Sequence, residues 1–221
     1  ANMQIQRLGM SGISFAGSDI GGFIGNPDGE LFARWIQMGV FHPFTRTHSA
    51  GNDPGAEPQE PWSYGSKVEF IAKKYIQLRY QLLPYIYTTF WQHSTYGTPM
   101  VRPLVMTDQE DTESLYRTDQ YMFGDKIMVC PVNLPGATTR LVYLPKGRWY
   151  DFWDDTLENG GKEIEADAPL DRMPLYVKEG SVIPNYPKMQ YVGEIPVTEL
   201  TLHIYYTKTV QTSHLSEDAG D

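Results

Sequence analysis

Gly12-Ile13-Ser14-Phe15-Ala16-Gly17-Ser18-Asp19-Ile20-Gly21-Gly22-Phe23 is the stretch on which the fold turns. Ile13 to Ala16 predicts a short apolar strand, and it runs into a serine, an acid and two glycines. A strand that ends in a glycine turn and is followed by a helix is the start of a β/α unit. Upstream, Met3, Ile5 and Leu8 predict the end of a helix closed by Gly9. Downstream, Glu30 to Met38 predicts a helix with Leu31, Trp35 and Met38 on one face. Val40 to Phe44 is apolar, and its end carries Arg46 and His48. The segment from Ser49 to Ser63 holds four prolines or glycines before Glu60 and is too polar to pack as an element. Val68, Ile71, Tyr75, Leu78, Leu82, Ile86 and Phe90 then repeat at helical spacing, as far as Gly97-Thr98-Pro99. Pro84 should kink that helix or mark a new start. Strand, turn, helix, strand, loop, helix is the order of parallel β/α repeats, whose sites lie at the carboxyl ends of the strands.

After Pro99 the period falls to two. Met100-Val101-Arg102, Tyr121-Met122-Phe123, Ile127 to Val132, Leu141 to Leu144, Trp149-Tyr150-Asp151 and Leu175-Tyr176-Val177 are short strand patterns. Turn signals such as Phe123-Gly124-Asp125 and Pro145-Lys146-Gly147 separate them. Short strands at close spacing predict an antiparallel sandwich. Leu200, Leu202, Ile204 and Tyr206 alternate cleanly beyond a Pro187 to Pro196 linker, so this last strand is expected to open a further domain. Glu217 to Asp221 reads as a turn with nothing after it, as if the chain stopped mid-structure.

Composition removes several function classes. There are 18 Lys and Arg against 27 Asp and Glu, a net charge of −9. That balance disfavours nucleic acid as a partner, because phosphate backbones demand clustered basic residues. A hydrophobic content of 41% supplies a core and excludes a disordered chain. No apolar run approaches the roughly 18 residues of a membrane span. Ala1 to Leu8 lacks the basic-then-apolar pattern of a signal peptide. Cys130 is the only cysteine, which excludes an internal disulfide, and its place in Ile127-Met128-Val129-Cys130 predicts a buried, inert thiol.

Asp19 stands where a carboxylate can hydrogen-bond a ligand hydroxyl while Gly21 and Gly22 let the backbone approach closely. It can equally cap the next turn. Arg46 and His48, two apart, point the same way if strand conformation persists. An arginine orients carboxylates and a neutral histidine donates to a sugar hydroxyl; the alternative is a surface ion pair and a solvated histidine. His42 is assigned a structural role. Phe23 and Trp62 are loop aromatics whose faces suit the apolar faces of sugars, although core packing is the commoner use. The Gly-x-x-x-Gly-Gly run from Gly17 to Gly22 lacks the residues of a phosphate loop. Gly-x-Ser-x-Gly is absent, and no His-x-x-x-His or Cys-x-x-Cys spacing suggests a metal. From the residues alone the reading is a ligand site at the carboxyl end of parallel strands, for something polar and neutral.

The Asp-Ile-Gly-Gly-Phe segment ending at Phe23, together with Arg46-Thr47-His48, resembles glycoside hydrolase family 31. That is the family of α-glucosidases, α-xylosidases and the endoplasmic-reticulum glucosidase II. The likeness continues through Arg34-Trp35, Glu60-Pro61-Trp62, Leu82-Leu83-Pro84-Tyr85, Val101-Arg102-Pro103-Leu104, Phe123-Gly124-Asp125, Trp149-Tyr150-Asp151 and Gly180-Ser181-Val182-Ile183-Pro184.

The resemblance implies a retaining enzyme with a catalytic (β/α)8 barrel, an aspartate nucleophile after the fourth strand and an aspartate acid/base after the sixth. The Trp-x-Asp-Met-Asn-Glu-like and Gly-Asp-Asn-like segments that carry them in the family occur nowhere in these residues. What is implied is therefore a fragment of mixed class, α/β followed by all-β, with no catalytic carboxylate, metal or cofactor of its own. Residues 1–98 would be the last two β/α units of the barrel, 99–190 the proximal antiparallel β-sandwich, and 191–221 the start of a distal β domain. By the same resemblance Asp19 matches the aspartate after the seventh strand, near the −1 sugar, and Phe23 the aromatic beside that sugar. Arg46 and His48 match the pair after the eighth strand, whose histidine hydrogen-bonds the −1 glycosyl hydroxyls. The implied substrate is an oligosaccharide or α-glucoside. The competing readings are a parent acting as an α-xylosidase or α-transglucosylase, and a non-catalytic carbohydrate-binding or interaction module.

Overall fold

The computed structural model describes residues 1–51 and 55–218, so the expected turn at Glu217 to Asp221 lies largely outside the described residues. Helix α1 (Asn2–Met10) runs through Gly9 and ends at Ser11. Gly9 is there for close approach and not as a stop: a Cβ on it would lie 3.1 Å from Pro99 Cβ. Ile13 to Ala16 forms no strand. The parallel pair begins later, with β1 (Asp19–Ile20) beside β2 (Arg46–Thr47) and Asp19 opposite Arg46. Ahead of it a Cβ on Gly17 would fall 1.8 Å from the Phe44 carbonyl oxygen, so the two segments meet backbone on backbone before they reach ladder register.

Helix α2 (Gly29–Gly39) lies between them in sequence. Asp28 caps it, accepting from Leu31 N at 2.8 Å, an arrangement worth about 1 kcal/mol. Its buried face is Phe32, Ala33, Ile36 and Met38. Leu31, expected on that face, is 47% exposed. The 31/35/38 stripe instead lines an open concavity of about 430 Å³ against the start of α1. Part of the polar segment before Ser63 does form an element, a 3-10 turn at Pro61–Tyr64. The long helical pattern is two helices, α3 (Ser66–Gln81) and α4 (Leu83–Tyr96), joined at Leu82. Pro84 sits in the first turn of α4, where its missing N–H costs nothing, and Gly97 ends α4 in the left-handed conformation.

Beyond α4 a six-stranded antiparallel sheet forms in the order β3 (Val101–Pro103), β4 (Tyr121–Phe123), β5 (Ile127–Val129), β10 (Leu175–Lys178), β7 (Arg148–Asp151), β8 (Leu157–Asn159). Between β4 and the preceding loop lies the one-turn helix α5 (Thr112–Tyr116). An antiparallel two-stranded ribbon of β6 (Thr139–Leu144) and β9 (Lys162–Asp167) covers one face of the sheet. There Met122, Met128, Cys130, Trp149 and Tyr176 pack on Val142, Leu144 and Ala166. The other face, with Tyr121, Phe123, Ile127, Val129, Leu175 and Val177, merges with the core of α2 to α4. Burial on both faces explains why Ile127 to Cys130 is a continuous apolar run and not an alternating one. Burial also pushes the Cys130 thiol up to about 12. The last strand, β12 (Thr201–Ile204), pairs antiparallel with β11 (Val182–Asn185).

Polar ties fix the helices to the sheet region. Arg34 donates to the carbonyls of Pro169, Ala137 and Ala168, and Gln37 to that of Leu170. Tyr85 donates to the Phe123 carbonyl, and the Tyr75 hydroxyl accepts from Met173 N.

Candidate functional site

The pairing of β1 with β2 brings Asp19 and Arg46 side by side on adjacent parallel strands. Arg46 Nε donates to Asp19 Oδ1 at 2.8 Å, and the guanidinium also lies over the Phe44 ring, 5.3 Å from its centroid. Both strands are two residues long, and the chain turns immediately after β1. After β1 the turn is Gly21-Gly22, at φ of 89° and 97°, a region that only glycine enters freely. After β2 the chain continues to His48. The segments that follow the two strands come together, the Phe23 and His48 rings lying 5.5 Å apart at 32°. The four residues thus form two adjoining pairs, one ionic and one aromatic, at the carboxyl end of the strand pair.

Behind the acid, Trp35 Nε1 on α2 donates to Ser18 Oγ at 2.9 Å and steadies the residue before Asp19. Gly39 lets the end of α2 lie over β1, since a Cβ on it would come within 2.7 Å of Ile20 Cδ1. Phe23 is 47% exposed and Arg46 and His48 are exposed, so the pairs form an open ledge. An ion pair this exposed contributes little to stability, about 0–1 kcal/mol. Its geometry serves to orient the carboxylate. Trp62, the other expected aromatic, stands on the 3-10 turn with 67% of its surface exposed.

His42, four residues ahead of Arg46, is of a different kind. It is fully buried against Tyr121, ring centroids 5.9 Å apart, and neither ring nitrogen has a hydrogen-bond partner among the described residues. Burial, with Arg79 adding repulsion, holds its pKa down at about 3, so the ring is neutral. Two further residues support the ledge without any mark in the sequence: Ser18, through Trp35, and Gln59, which reaches back from the loop after β2 to the carbonyls of Gly22 and Gly25.

A family model described as "Glycosyl hydrolases family 31 TIM-barrel domain" matches residues 1–89, and one described as "Glycosyl hydrolase family 31 C-terminal domain" matches residues 97–183. The chain belongs to glycosyl hydrolase family 31. Among family 31 relatives, alpha-glucosidase 2 of Bacillus thermoamyloliquefaciens is 42% identical over 201 residues, which are 90% of this chain and 25% of that protein. The alpha-xylosidase of Saccharolobus solfataricus is 42% identical over 185 residues, 80% of this chain and 24% of that protein. The solved family 31 dextranase of Flavobacterium johnsoniae, complexed with glucose, superimposes with a TM-score of 0.86 at 38% identity, covering 92% of this chain and 26% of that one. The chain spans about a quarter of the length of the curated relatives it matches. Its architecture is the end of the family barrel together with the family's C-terminal domain.

Proposed function

We propose that this chain is the part of a retaining α-glucosidase-type hydrolase that supplies the grip on the −1 sugar, with Asp19, Phe23, Arg46 and His48 as substrate-binding residues. The observation that carries the reading is the convergence of the Asp19–Arg46 ion pair and the Phe23–His48 ring pair at the ends of two parallel strands. Arg46 orients the Asp19 carboxylate, which accepts from a sugar hydroxyl. His48 hydrogen-bonds another hydroxyl, and Phe23 offers its face to the apolar side of the ring. Such contacts act on rate when they tighten as the ring flattens towards an oxocarbenium ion. The bond-breaking itself needs two carboxyl groups about 5–5.5 Å apart, one attacking the anomeric carbon and one protonating the leaving oxygen. In this reading both are supplied by other parts of the full-length protein.

Residues 1–98 then belong to the barrel, 99–190 to the proximal sandwich, and 191–221 to the opening of a distal β domain. The net charge of −9 fits a neutral sugar partner better than a polyanion. Among the described residues no helix is long and apolar enough to cross a membrane.

The test is the full reading frame expressed with p-nitrophenyl α-glucoside, the anomer of the first product followed by NMR. α-Glucose released first supports the reading, and β-glucose first refutes it. The present chain alone should show no turnover above a buffer blank. An α-xyloside is the second candidate substrate, because the Saccharolobus α-xylosidase is as similar to this chain as the Bacillus α-glucosidase. The ratio of kcat/KM on the two nitrophenyl glycosides decides between them.

A further inference from the structure

Gln59 lies in the polar loop after β2, with 8% of its surface exposed. Its Nε2 donates to the Gly22 and Gly25 carbonyls, 3.3 Å to each. Those two carbonyls flank Phe23, in a segment that belongs to no helix and no ladder. Gly21, Gly22 and Gly25 all sit at positive φ, so the turn has little stiffness of its own, and its carbonyls depend on partners from outside it. The Phe23 carbonyl has one as well, accepting from Ala50 N at 2.7 Å.

The fit around the Gln59 amide is close on its other side too. A Cβ on Gly21 would fall 2.6 Å from Gln59 Oε1, so the glutamine is wedged beneath the turn. Two carbonyl oxygens converging on one nitrogen require an N–H2 group there, since a carbonyl or carboxylate oxygen could satisfy neither. Asn26 repeats the device nearby. Its Nδ2 donates to the Gly55 carbonyl and its Oδ1 accepts from Glu57 N, tying the same two loops together.

We propose that Gln59 is a positioning residue, which grips the carbonyls on either side of Phe23 and thereby holds that ring against His48 as the platform for the sugar. This extends the proposed function and rests on it for the word sugar, while the gripping itself is independent of any substrate. A glutamine that merely filled space would leave the turn and the ring unaffected by loss of its N–H groups.

The experiment uses the full-length protein and the variants Gln59→Met, of similar shape without donors, and Gln59→Arg, which keeps N–H donors. Hydrogen–deuterium exchange reads the turn through the amides of Gly22 and Ala50, which donate to the carbonyls of Asp19 and Phe23. Exchange at both should accelerate about tenfold or more in Gln59→Met, with β4 and β5 unchanged, and should stay near wild type in Gln59→Arg. Unchanged exchange in Gln59→Met, or Met and Arg variants that behave alike, would overturn the proposal whatever the substrate is.

Kinetics then test the link to the ring. Gln59→Met should raise KM for p-nitrophenyl α-glucoside about tenfold with kcat within about threefold. In a Phe23→Ala background the same substitution should add less than about twofold, because its effect passes through that ring. Full additivity would overturn the positioning role. A wild-type protein inert towards every nitrophenyl glycoside would remove the proposed function, and the exchange result would still decide whether Gln59 holds the turn.

Discussion

The sheet region buries what it has, and the segment ahead of it does not. In β4, β5 and β10 the residues from Tyr121 to Phe123, Ile127 to Val129 and Leu175 to Val177 are all buried, the sheet lying between the β6–β9 ribbon and the helices. In the earlier segment Phe15 is 58% exposed, and its ring meets those of Phe44 and Phe90, which are exposed themselves. An aromatic side chain open to water forgoes the roughly 1.5–3 kcal/mol that its burial contributes. The contrast separates a region whose apolar side chains are buried from one that keeps an aromatic cluster at the surface. The ledge of Asp19, Phe23, Arg46 and His48 lies on the second kind of region.

The largest effect should come from testing that contrast directly. Ile127→Ala, in the middle of the sheet, should cost this chain about 2–5 kcal/mol in urea denaturation. Phe15→Ala should cost it less than about 1 kcal/mol, yet about 3–5 kcal/mol in the full-length protein under the proposal that further barrel strands pack on the ring. Equal costs for Phe15→Ala in the two settings would break the comparison.

The next effect sharpens the ledge. His48→Ala in the full-length protein should lower kcat/KM about 10²-fold, because it leaves a sugar hydroxyl in the site unpaired at a cost of roughly 1–3 kcal/mol. The melting temperature should stay put, because His48 is exposed and its ring lies against another exposed ring, Phe23. A change confined to KM means the bond holds substrate, and one confined to kcat means it tightens in the transition state. Kinetics within threefold of wild type would mean that the ledge is not the sugar site.

The smallest effect concerns the seam between the two regions, where His42 packs on Tyr121 of β4. An unfolded histidine takes up a proton near pH 6.5, whereas burial keeps folded His42 neutral down to about 3. Between those values the unfolded state holds the extra proton, so stability falls as the pH drops from about 6.5 towards 3. The slope from this residue is at most about 1.4 kcal/mol per pH unit. His42→Gln, which has no titration in this range, should flatten the acid limb of a stability–pH curve. An unchanged curve would show that the ring takes up its proton without unfolding the seam.

Helix identities were legible from apolar spacing: α3 and α4 follow the 68/71/75/78 and 82/86/90 pattern, and Pro84 marks the break between them. The sheet strands from β4 to β7, and β10, were legible as short apolar runs. β8, β9 and β11 were not, because Leu157–Asn159 and Lys162–Asp167 are polar and largely solvent-facing, and Val182–Asn185 contains a proline. Ile13 to Ala16 misled for a related reason. Apolar composition marks burial, but a ladder also needs a partner in register, and the Gly17–Phe44 contact delays that partner until Asp19.

The sequence by itself determined the family, through Asp-Ile-Gly-Gly-Phe and Arg-x-His, and with it the four candidate residues. It also determined that the thiol of Cys130 is buried, since an unbroken apolar run admits no exposed position. Only the tertiary structure decided how the four residues combine, Asp19 with Arg46 and Phe23 with His48, because that pairing follows from parallel register between segments 27 residues apart. It alone brought Gln59 beneath the glycine turn. A side chain that supports a site acts through contacts distant along the chain, and nothing in its immediate neighbours in sequence records what it will touch.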